Sequence, residues 1–346
     1  MKKLMIIGSN SIHVYNYINL VKDYFDEIIL ITNKKREGTD VKTIELDFHL
    51  KLSSRLKTVA KIKNLIQEYA PSIIHIHQVN SYAYYCLLAA RKSSVPKILT
   101  AWGSDILLSP KNSFLLKKMV QFNLRHADFF TSDSEFMAEE MRSLLPRRKL
   151  DILIANFGIE IIEKDLLKEN IIYSNRLHKK LYQIESVINA FKLFLENSID
   201  KTWKLVIAAT GEETNNLKSM VEHLNLKGNV EFVGWVDQEK NVEYYSKARL
   251  FVSIPESDAT SISLLEAMAY GCIPVLSDLP ANREWIDDGK NGIIVNSPSE
   301  NIFERALKLN ISEVASINKR IIIEKGTKVA NKKKFIQLYD HFLQQK

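Results

Sequence analysis

At 346 residues, with 46% hydrophobic and 26% charged residues, the chain is long enough for two domains and has the composition of a folded globular protein, which excludes a disordered, collagenous or low-complexity chain. Its net charge of +7 comes entirely from residues 1–160, which hold 23 basic and 16 acidic residues. This one-sided charge favours an anionic partner, such as a phospholipid headgroup, a lipid-linked phosphate or nucleic acid, with a solvated lysine-rich surface as the alternative.

The start of the chain bears on localisation. The apolar stretch that follows the first two lysines ends at Gly8 and is too short for the core of a signal peptide. No later run approaches the roughly 18 apolar residues that a membrane span requires. We therefore expect a cytoplasmic protein that does not cross a membrane.

Short apolar segments rich in Ile and Val alternate with segments of helical period through the first half. The predicted strands are Leu4–Gly8, Ile28–Thr32, Ile73–His77, Lys97–Ala101, Asp128–Ser132 and Ile152–Asn156. Helices are predicted at Ser113–Arg125 and Ser134–Leu145. Strands that are apolar throughout are buried on both faces, so the pattern predicts a parallel sheet covered by helices.

The same alternation restarts after Gly158. The predicted strands are Ile171–Ser174, Leu205–Ala209, Val230–Val233, Leu250–Ile254 and Ile273–Ser277, and the predicted helices are Leu181–Leu195, Asn216–Leu224 and Ser263–Tyr270. The lysine-rich tail Lys325–Lys346 places Phe335, Leu338, Tyr339 and Phe342 at helical spacing. The chain is thus predicted to be an α/β protein of two doubly wound, Rossmann-like domains, residues 1–158 and 159–325, that face each other across a cleft. The C-terminal amphipathic helix, residues 326–346, is predicted to pack back on them.

Two common nucleotide-binding motifs and a metal site are excluded by spacing. A nicotinamide dinucleotide would require Gly-x-Gly-x-x-Gly after the first strand, where Gly8 is the only glycine, and the P-loop pattern is absent. Cys86 and Cys272 lie far apart, without the paired spacing of a zinc site or a disulfide framework. We expect two buried thiols, no bound cofactor and no metal.

The stretch Pro255–Val295 is the most informative, and it reads as a strand end, a polar loop, a helix, a short strand and a second polar loop. Asp258 and Glu266 straddle the start of the helix. Backbone N–H groups there would meet a phosphate or sugar oxygen, and the expected positions are Ser261, Ile262 and Ser263. Glu266, one turn further on, would accept hydrogen bonds from ribose hydroxyls. Taken singly, Asp258 as a helix cap and Glu266 as a solvated residue are the alternatives.

This stretch resembles the retaining family 4 glycosyltransferases, which have the GT-B fold. In their second domain, two acids separated by seven residues lead into Glu-Ala-Met-Ala-x-Gly-x-Pro-Val, as Asp258 and Glu266 do here in the run that ends at Val275. Further matches, which extend the resemblance over essentially the whole chain, are Glu284, Gly289-x-x-Gly292, Arg176 with Lys180, Asn156–Ile159 and Thr100–Asp105.

The chain departs from the family pattern at two positions. Asp258 stands where most members have the longer Glu, and Trp102 stands where many have His. Trp102 offers an aromatic face to a sugar or a lipid-proximal acceptor, or else it belongs to the core. Candidates to replace the missing imidazole are His13, His75 and His77, although His75 and His77 share one face of a buried strand, which favours a structural role.

The resemblance implies metal-independent transfer of a sugar from a nucleotide-sugar with retention of anomeric configuration. It implies that residues 1–158 bind the acceptor and residues 159–325 the donor. The implied catalytic residues are Arg176, Lys180, Asp258 and Asp105, the two basic groups facing the diphosphate that departs. The implied donor-binding residues are Gly8, Arg176, Lys180, Asp258, Ser261, Ile262, Ser263 and Glu266. On the acceptor side are His13, Trp102 and Asp105, with a helix cap for Ile106 onward as the alternative role of Asp105.

The implied donor is a UDP-sugar, because UDP is commoner than GDP in the family, and the implied acceptor is a lipid-linked or cell-surface glycan of polysaccharide or lipopolysaccharide synthesis. Basic residues surround the predicted helix Phe114–Leu124, namely Lys111, Lys117, Lys118, Arg125, Arg142, Arg147, Arg148 and Lys149. They favour peripheral contact with an anionic membrane, with burial of the apolar face in the core as the alternative.

Other functions stay open at this point. A sugar-nucleotide 2-epimerase shares the architecture, and a non-catalytic GT-B partner or binding subunit would tolerate the changes at Trp102 and Asp258. Nucleic-acid binding is disfavoured, because no base-reading or stacking motif accompanies the lysines.

Overall fold

A computed structural model describes residues 1–162, 166–295 and 301–344 of the chain. These residues form two compact units. Unit 1 comprises Met1–Phe157 together with the C-terminal segment that begins at Lys328, and unit 2 comprises Gly158–Thr327. In the part of the chain that is described, no helix combines the length and the apolar composition needed to cross a bilayer.

Unit 1 is built on a parallel sheet of seven strands. They are β1 (Lys3–Ile7), β2 (Glu27–Thr32), β3 (Lys42–Glu45), β4 (Ile73–His77), β5 (Lys97–Thr100), β6 (Phe129–Ser132) and β7 (Ile152–Ile154). Its helices are α1 (Ile12–Val21), extended by a 3₁₀ turn at Lys22–Tyr24, α2 (Leu52–Tyr69), α3 (Ser81–Ala89), α4 (Ser104–Leu107), α5 (Ser109–Asn112), α6 (Phe114–His126) and α7 (Glu135–Leu144). The strand order is β3-β2-β1-β4-β5-β6-β7, so the winding reverses between β1 and β4.

Unit 2 is built on a parallel sheet of six strands. They are β8 (Glu169–Ser174), β9 (Lys204–Ala208), β10 (Val230–Gly234), β11 (Ala248–Ser253), β12 (Ile273–Ser277) and β13 (Ile293–Val295). Its helices are a 3₁₀ turn at Lys180–Tyr182, α8 (Ile184–Asn197), α9 (Thr214–His223), α10 (Gln238–Lys247), α11 (Ile262–Ala269), α12 (Pro280–Arg283), α13 (Ile302–Leu307), α14 (Ile311–Ile321) and a π turn at Ile322–Gly326. The order is β10-β9-β8-β11-β12-β13, with the reversal between β8 and β11.

Each face of the unit 2 sheet carries its own apolar core. Along β8, Ile172 packs into the cluster that contains α8, whereas the next residue, Tyr173, packs into the cluster that contains α11. Leu250 and Phe251 of β11 divide in the same way. Because side chains alternate along a strand, burial of both sets explains why these strands are apolar throughout. The predicted doubly wound architecture is therefore confirmed.

The last helix, α15 (Lys328–Leu343), packs on unit 1. Phe335, Leu338 and Tyr339 are buried in the same cluster as residues of β1 and α1. A polar contact fixes the register, since the Asn331 side-chain carbonyl accepts the backbone N–H of Asn156 at 3.0 Å. The predicted C-terminal helix is thus present, and its apolar stripe belongs to the core of unit 1.

The sequence did not predict two edge strands, β3 and β13. The four residues of β3 include a lysine and a glutamate at the ends, and β13 has three residues within what was expected to be a polar loop. Both are too short for an alternating pattern to be recognised, and pairing with one neighbour, β2 or β12, creates them. The expectation of a polar loop through Ile293–Val295 is wrong.

Candidate functional site

The reversal point of unit 2 brings two predicted site segments together. In open parallel sheets, ligands bind beyond the carboxyl ends of the strands at the point where the strand order reverses. Arg176 lies two residues after β8, and Asp258 lies in the loop after β11, its neighbour in the sheet. Residues that are far apart in sequence therefore meet at one end of two adjacent strands.

Arg176 and Asp258 form a largely buried ion pair. The Arg176 Nη2 atom lies 2.6 Å from Asp258 Oδ2, and the two side chains are 11% and 23% exposed. The other arm of the guanidinium, Nη1, donates to the Ser261 hydroxyl. The guanidinium carbon lies 4.6 Å from the centre of the Tyr182 ring. These contacts hold the cation in one orientation beside the start of α11.

Asp258 is not the cap of α11, since that position is occupied by Ser261. Its Oδ1 atom accepts the N–H of Ala259 at 3.0 Å. Burial raises the pKa of the Asp258 carboxyl, while the Arg176 charge and the Ala259 N–H act in the opposite direction. The helix-cap alternative for Asp258 is therefore wrong.

The N-terminus of α11 presents backbone donors at the same place. The N–H groups of Leu264 and Leu265 bond back to the Ser261 carbonyl, at 3.1 and 3.3 Å. The two preceding N–H groups, of Ile262 and Ser263, have no intrahelical acceptor, and the helix dipole makes this end positive. The start of α11 thus offers the donors that an anionic oxygen requires.

Glu266 lies one turn further along α11 and is buried, at 7% exposure. Two side-chain amides of α10 donate to it, Gln238 Nε2 to Oε1 at 3.0 Å and Asn241 Nδ2 to Oε2 at 3.4 Å. The solvated-residue alternative for Glu266 is therefore wrong. A buried carboxylate with oriented donors is suited to binding hydroxyl groups.

Lys180 stands apart from this cluster. It is exposed in the 3₁₀ turn Lys180–Tyr182, whose Tyr182 lies under the guanidinium of Arg176. Among the described residues, its ammonium forms no hydrogen bond or ion pair. The structure therefore brings Arg176, Asp258 and Ser261 into contact, but it does not bring Lys180 into contact with them.

In unit 1 the reversal point places Gly8 after β1 and His77 at the end of β4. A Cβ atom on Gly8 would lie 3.1 Å from the Cβ of His77 and 3.0 Å from Val14, so a larger residue is disfavoured there. His13, in the first turn of α1, is exposed, with its ring centre 5.5 Å from that of Trp102. Among the predicted donor-side residues, Gly8 alone belongs to unit 1.

Trp102 is half-buried and packs against the core cluster of unit 1. Its indole N–H points at Nδ1 of His77, 3.4 Å away. His77 is fully buried, and burial lowers its pKa to about 3, so the ring is neutral at pH 7. His75 is also fully buried, and its two nitrogens bond to Tyr339 and Thr100, both at 2.7 Å.

Asp105 joins two loops rather than capping a helix. Its Oδ2 atom accepts the N–H of Val79 at 2.6 Å, and Oδ1 accepts that of Trp102 at 3.0 Å. The residue that caps α4 is Gly103. Burial raises the pKa of Asp105, and the backbone donors oppose that shift. The carboxylate therefore fixes the backbone of Trp102 to the loop that follows β4, and the cap alternative is not realised.

Sequence reasoning missed Gln238, Asn241 and Tyr182. The two amides belong to α10, about 25 residues before Glu266 in the chain, and no motif links them to it. Only the packing of α10 beside α11 reveals them. No group of three or more His, Cys, Asp or Glu side chains suited to a metal ion occurs among the described residues.

Both halves of the chain are similar to known glycosyltransferases. Residues 158–328 match the family model of glycosyl transferases group 1, and residues 3–134 match that of glycosyl transferase 4-like proteins. An uncharacterized glycosyltransferase of Methanocaldococcus jannaschii is 25% identical over 88% of this chain and 85% of its own length. A lipopolysaccharide core biosynthesis glycosyltransferase of Rhizobium meliloti is 28% identical over 63% of this chain and 66% of its own length.

Among solved structures, the HepE protein of Anabaena, determined in complex with UDP, superposes with a TM-score of 0.81 at 14% identity, over 99% of this chain and 100% of that one. At that identity the likeness shows the fold alone, which is GT-B. The two family models show that the chain, with its two parallel Rossmann-like sheets, belongs to the group 1 glycosyltransferases, the retaining family 4 enzymes that use a nucleotide-sugar donor.

Proposed function

We propose that this glycosyltransferase transfers a sugar from a UDP-sugar, without a metal ion, to a lipid-linked or cell-surface glycan. The observation that carries the proposal is the guanidinium of Arg176, held by Asp258 and Ser261 beside the N-terminus of α11. A departing nucleoside diphosphate accumulates negative charge in the transition state. A preoriented guanidinium and a helix N-terminus stabilise that charge without a metal ion.

The remaining residues of unit 2 take the other parts of the donor. Glu266 accepts the ribose hydroxyls, the N–H groups of Ile262 and Ser263 bind diphosphate or sugar oxygens, and Asp258 meets a hydroxyl of the transferred sugar. Lys180, exposed on its turn, supplies a second positive charge to the diphosphate. In unit 1 the donor-side residue is Gly8, and the acceptor-side residues are His13, Trp102 and Asp105.

In the proposed reaction, the bond between the anomeric carbon and the β-phosphate oxygen breaks while an acceptor hydroxyl forms the new bond on the same face of the sugar. The electron pair of the broken bond goes to the diphosphate, which Arg176 stabilises. The acceptor proton passes to the leaving phosphate oxygen. Retention follows because attack and departure share a face.

The choice of UDP and of a glycan acceptor draws on the relatives. The HepE protein was solved with UDP, and the Rhizobium meliloti relative is named for lipopolysaccharide core biosynthesis. The fold by itself supports neither choice, because one fold serves many substrates.

Calorimetric titration with UDP and GDP in the presence of a chelator tests the donor proposal. We expect UDP to bind in the micromolar range, a binding free energy of about −8 kcal/mol, and GDP to bind more weakly. Absence of binding by either nucleotide would contradict the donor site and leave the non-catalytic subunit as the better description. Binding that requires added Mg²⁺ would contradict metal independence alone.

The first turn of α6 supports peripheral contact with an anionic membrane. Phe114 and Leu115 are 71% and 78% exposed, whereas Val120 and Leu124 of the same helix are buried. The apolar face therefore divides, and only its later part belongs to the core. Exposed lysines flank the first turn at Lys111, Lys117 and Lys118. Apolar side chains among lysines match the headgroup region of an anionic bilayer.

Flotation with vesicles that contain anionic lipid tests this surface. Replacing Phe114 and Leu115 together with serine should reduce the vesicle-bound fraction several-fold at low salt, because two exposed apolar side chains no longer insert. Ile199→Ser, which removes an exposed apolar side chain of unit 2, is the matched control and should bind like the original protein. The proposal would be contradicted if the original protein, the double variant and Ile199→Ser bind the vesicles equally. It would also be contradicted if the original protein does not bind anionic vesicles at all.

A further inference from the structure

Glu266 is backed by a hydrogen-bond network centred on Asn241, a residue of α10 that no motif singles out. The Asn241 amino group, Nδ2, faces Glu266 Oε2 at 3.4 Å. Its carbonyl, Oδ1, accepts the Tyr173 hydroxyl at 2.7 Å and the Asn175 amino group at 3.2 Å. The residue thus links β8 and the loop after it to the carboxylate on α11.

The two donors on the carbonyl side determine which way the Asn241 amide points. An amide carries one acceptor and one amino group, so a side chain that receives two donors on its oxygen must present its amino group on the other side. Tyr173 is fully buried, and burial raises its pKa, so its hydroxyl keeps its proton and donates. Asn175 is itself oriented, because its amino group also donates to the Tyr245 hydroxyl at 2.8 Å.

Gln238, one turn before Asn241 on α10, donates to the other oxygen of the same carboxylate. The two amides therefore fix both oxygens of Glu266, and they differ in setting. Gln238 is exposed, whereas Asn241 is half-buried and has a fixed orientation. Gln238 makes the shorter bond to the carboxylate, 3.0 Å against 3.4 Å, but Asn241 is itself held by further hydrogen bonds and so constrains the plane of the carboxylate.

We propose that Asn241 is a positioning residue for Glu266, which orients the carboxylate to accept both vicinal hydroxyls of a ribose and so sets a preference for ribonucleotides over 2′-deoxyribonucleotides. The proposal rests on the donor site proposed above. A carboxylate in a fixed plane meets two adjacent hydroxyls at once, whereas a rotating one keeps only one contact on average. Loss of the constraint should therefore weaken binding of a ribonucleotide, which has both hydroxyls, more than binding of a 2′-deoxyribonucleotide, which has only one.

The experiment compares UDP with 2′-deoxy-UDP by calorimetry. The original protein should bind UDP at least about tenfold more tightly, since one hydrogen bond to a charged group is lost with the 2′-hydroxyl. Asn241→Leu, which has a similar size and no amide, should weaken UDP about tenfold and the deoxy compound by less than about threefold, so that the preference nearly disappears. Asn241→Asp should lose the preference too, because a second carboxylate then faces Glu266.

Controls separate positioning from damage to the fold. Glu239→Gln changes an exposed residue of the same helix and should leave both affinities and the thermal midpoint unchanged. Tyr173→Phe removes one of the two donors that orient Asn241 and should give an intermediate preference.

Three results would overturn the inference. If Asn241→Leu weakens binding of both nucleotides by the same factor, the residue does not act through the contact with the 2′-hydroxyl. If the preference persists in both Asn241 variants, Asn241 does not orient Glu266. If the original protein binds both nucleotides equally, no 2′-hydroxyl contact exists although the donor site stands. Failure to bind either nucleotide would instead reject the proposed function itself.

Discussion

Replacing Arg176 with alanine is expected to weaken UDP binding by about 10- to 100-fold, or about 1.5–3 kcal/mol, and to lower kcat/KM for sugar transfer by a further ~10-fold or more. The guanidinium donates two-armed charged hydrogen bonds that Lys180 does not reproduce, because its ammonium is a point charge and is not in contact with Asp258 or Ser261. The further loss in kcat/KM follows from the negative charge that develops on the diphosphate in the transition state, as the bond to the sugar breaks. Calorimetry with UDP and steady-state kinetics with the donor measure the two effects.

The same substitution leaves Asp258 as a largely buried carboxylate without its partner, so part of any loss could come from instability. Adding Asp258→Asn to Arg176→Ala removes the orphaned charge. The double variant should recover thermal stability but not UDP affinity. Arg176→Lys keeps a positive charge but loses the two-armed contact with Asp258 and Ser261, so it should restore affinity only in part.

Lys192→Ala is the matched control, because Lys192 pairs with Glu196 on the surface of α8 in the same unit. It should bind UDP like the original protein. If Arg176→Ala binds UDP unchanged, or if the double variant recovers affinity along with stability, the assignment of Arg176 to the diphosphate is wrong.

The second large effect is expected in the acid stability of unit 1. Its free energy of unfolding should fall by about 3 kcal/mol between pH 7.5 and pH 5.5 through two buried histidines. Burial lowers the pKa of His75 well below its usual value and that of His77 to about 3. In the unfolded chain both rings have a pKa near 6.5 and take up protons as the pH falls. The folded state takes up these protons only far below that pH. Above about pH 6.5 the two histidines therefore leave the free energy of unfolding of unit 1 at its full value, and they lower it as the pH falls from there towards 3.

Urea unfolding at the two pH values, read from β4 peptides by pulse-labelled hydrogen exchange, measures the effect in unit 1. His77→Phe removes one of the two rings and should reduce the pH-dependent loss by about 1.4 kcal/mol at pH 5.5. His223→Gln, on the exposed surface of α9 in unit 2, should leave the behaviour of unit 1 as it was. An identical pH profile for His77→Phe and the original chain would show that His77 is not buried in its neutral form.

Much of the fold follows from local pattern. Apolar strands in a repeating order predicted parallel sheets, and the run from Asp258 to Val275 predicted the family, because a loop, a helix start and a following strand are contiguous in the chain. Lys180 shows the limit of such inference. Its spacing from Arg176 matches a motif, yet its side chain is exposed and apart from the ion pair, since a motif specifies residue types and not contacts.

The edge strands β3 and β13 were beyond the sequence for another reason. A strand of three or four residues has too few side chains to show a recognisable alternation of apolar and polar residues. Hydrogen bonds to one neighbouring strand decide whether it forms. The sequence also could not predict that the apolar face of α6 divides into an exposed first turn and a buried later part. Helical spacing grouped Phe114 with Leu124, but only the packing of the other helices shows which turn is covered.

By itself, the sequence determined the α/β class, the two successive doubly wound sheets and the family, and it named the candidate residues of the proposed donor site, because each depends on periodicity or on contiguous motifs. The tertiary structure decided which of those residues meet. It paired Arg176 with Asp258 across two adjacent strands, assigned Asp105 to the backbone of Trp102, and placed Asn241 behind Glu266. These contacts join segments that are remote in the chain, and only the order of the strands and the packing of helices on them bring such segments together.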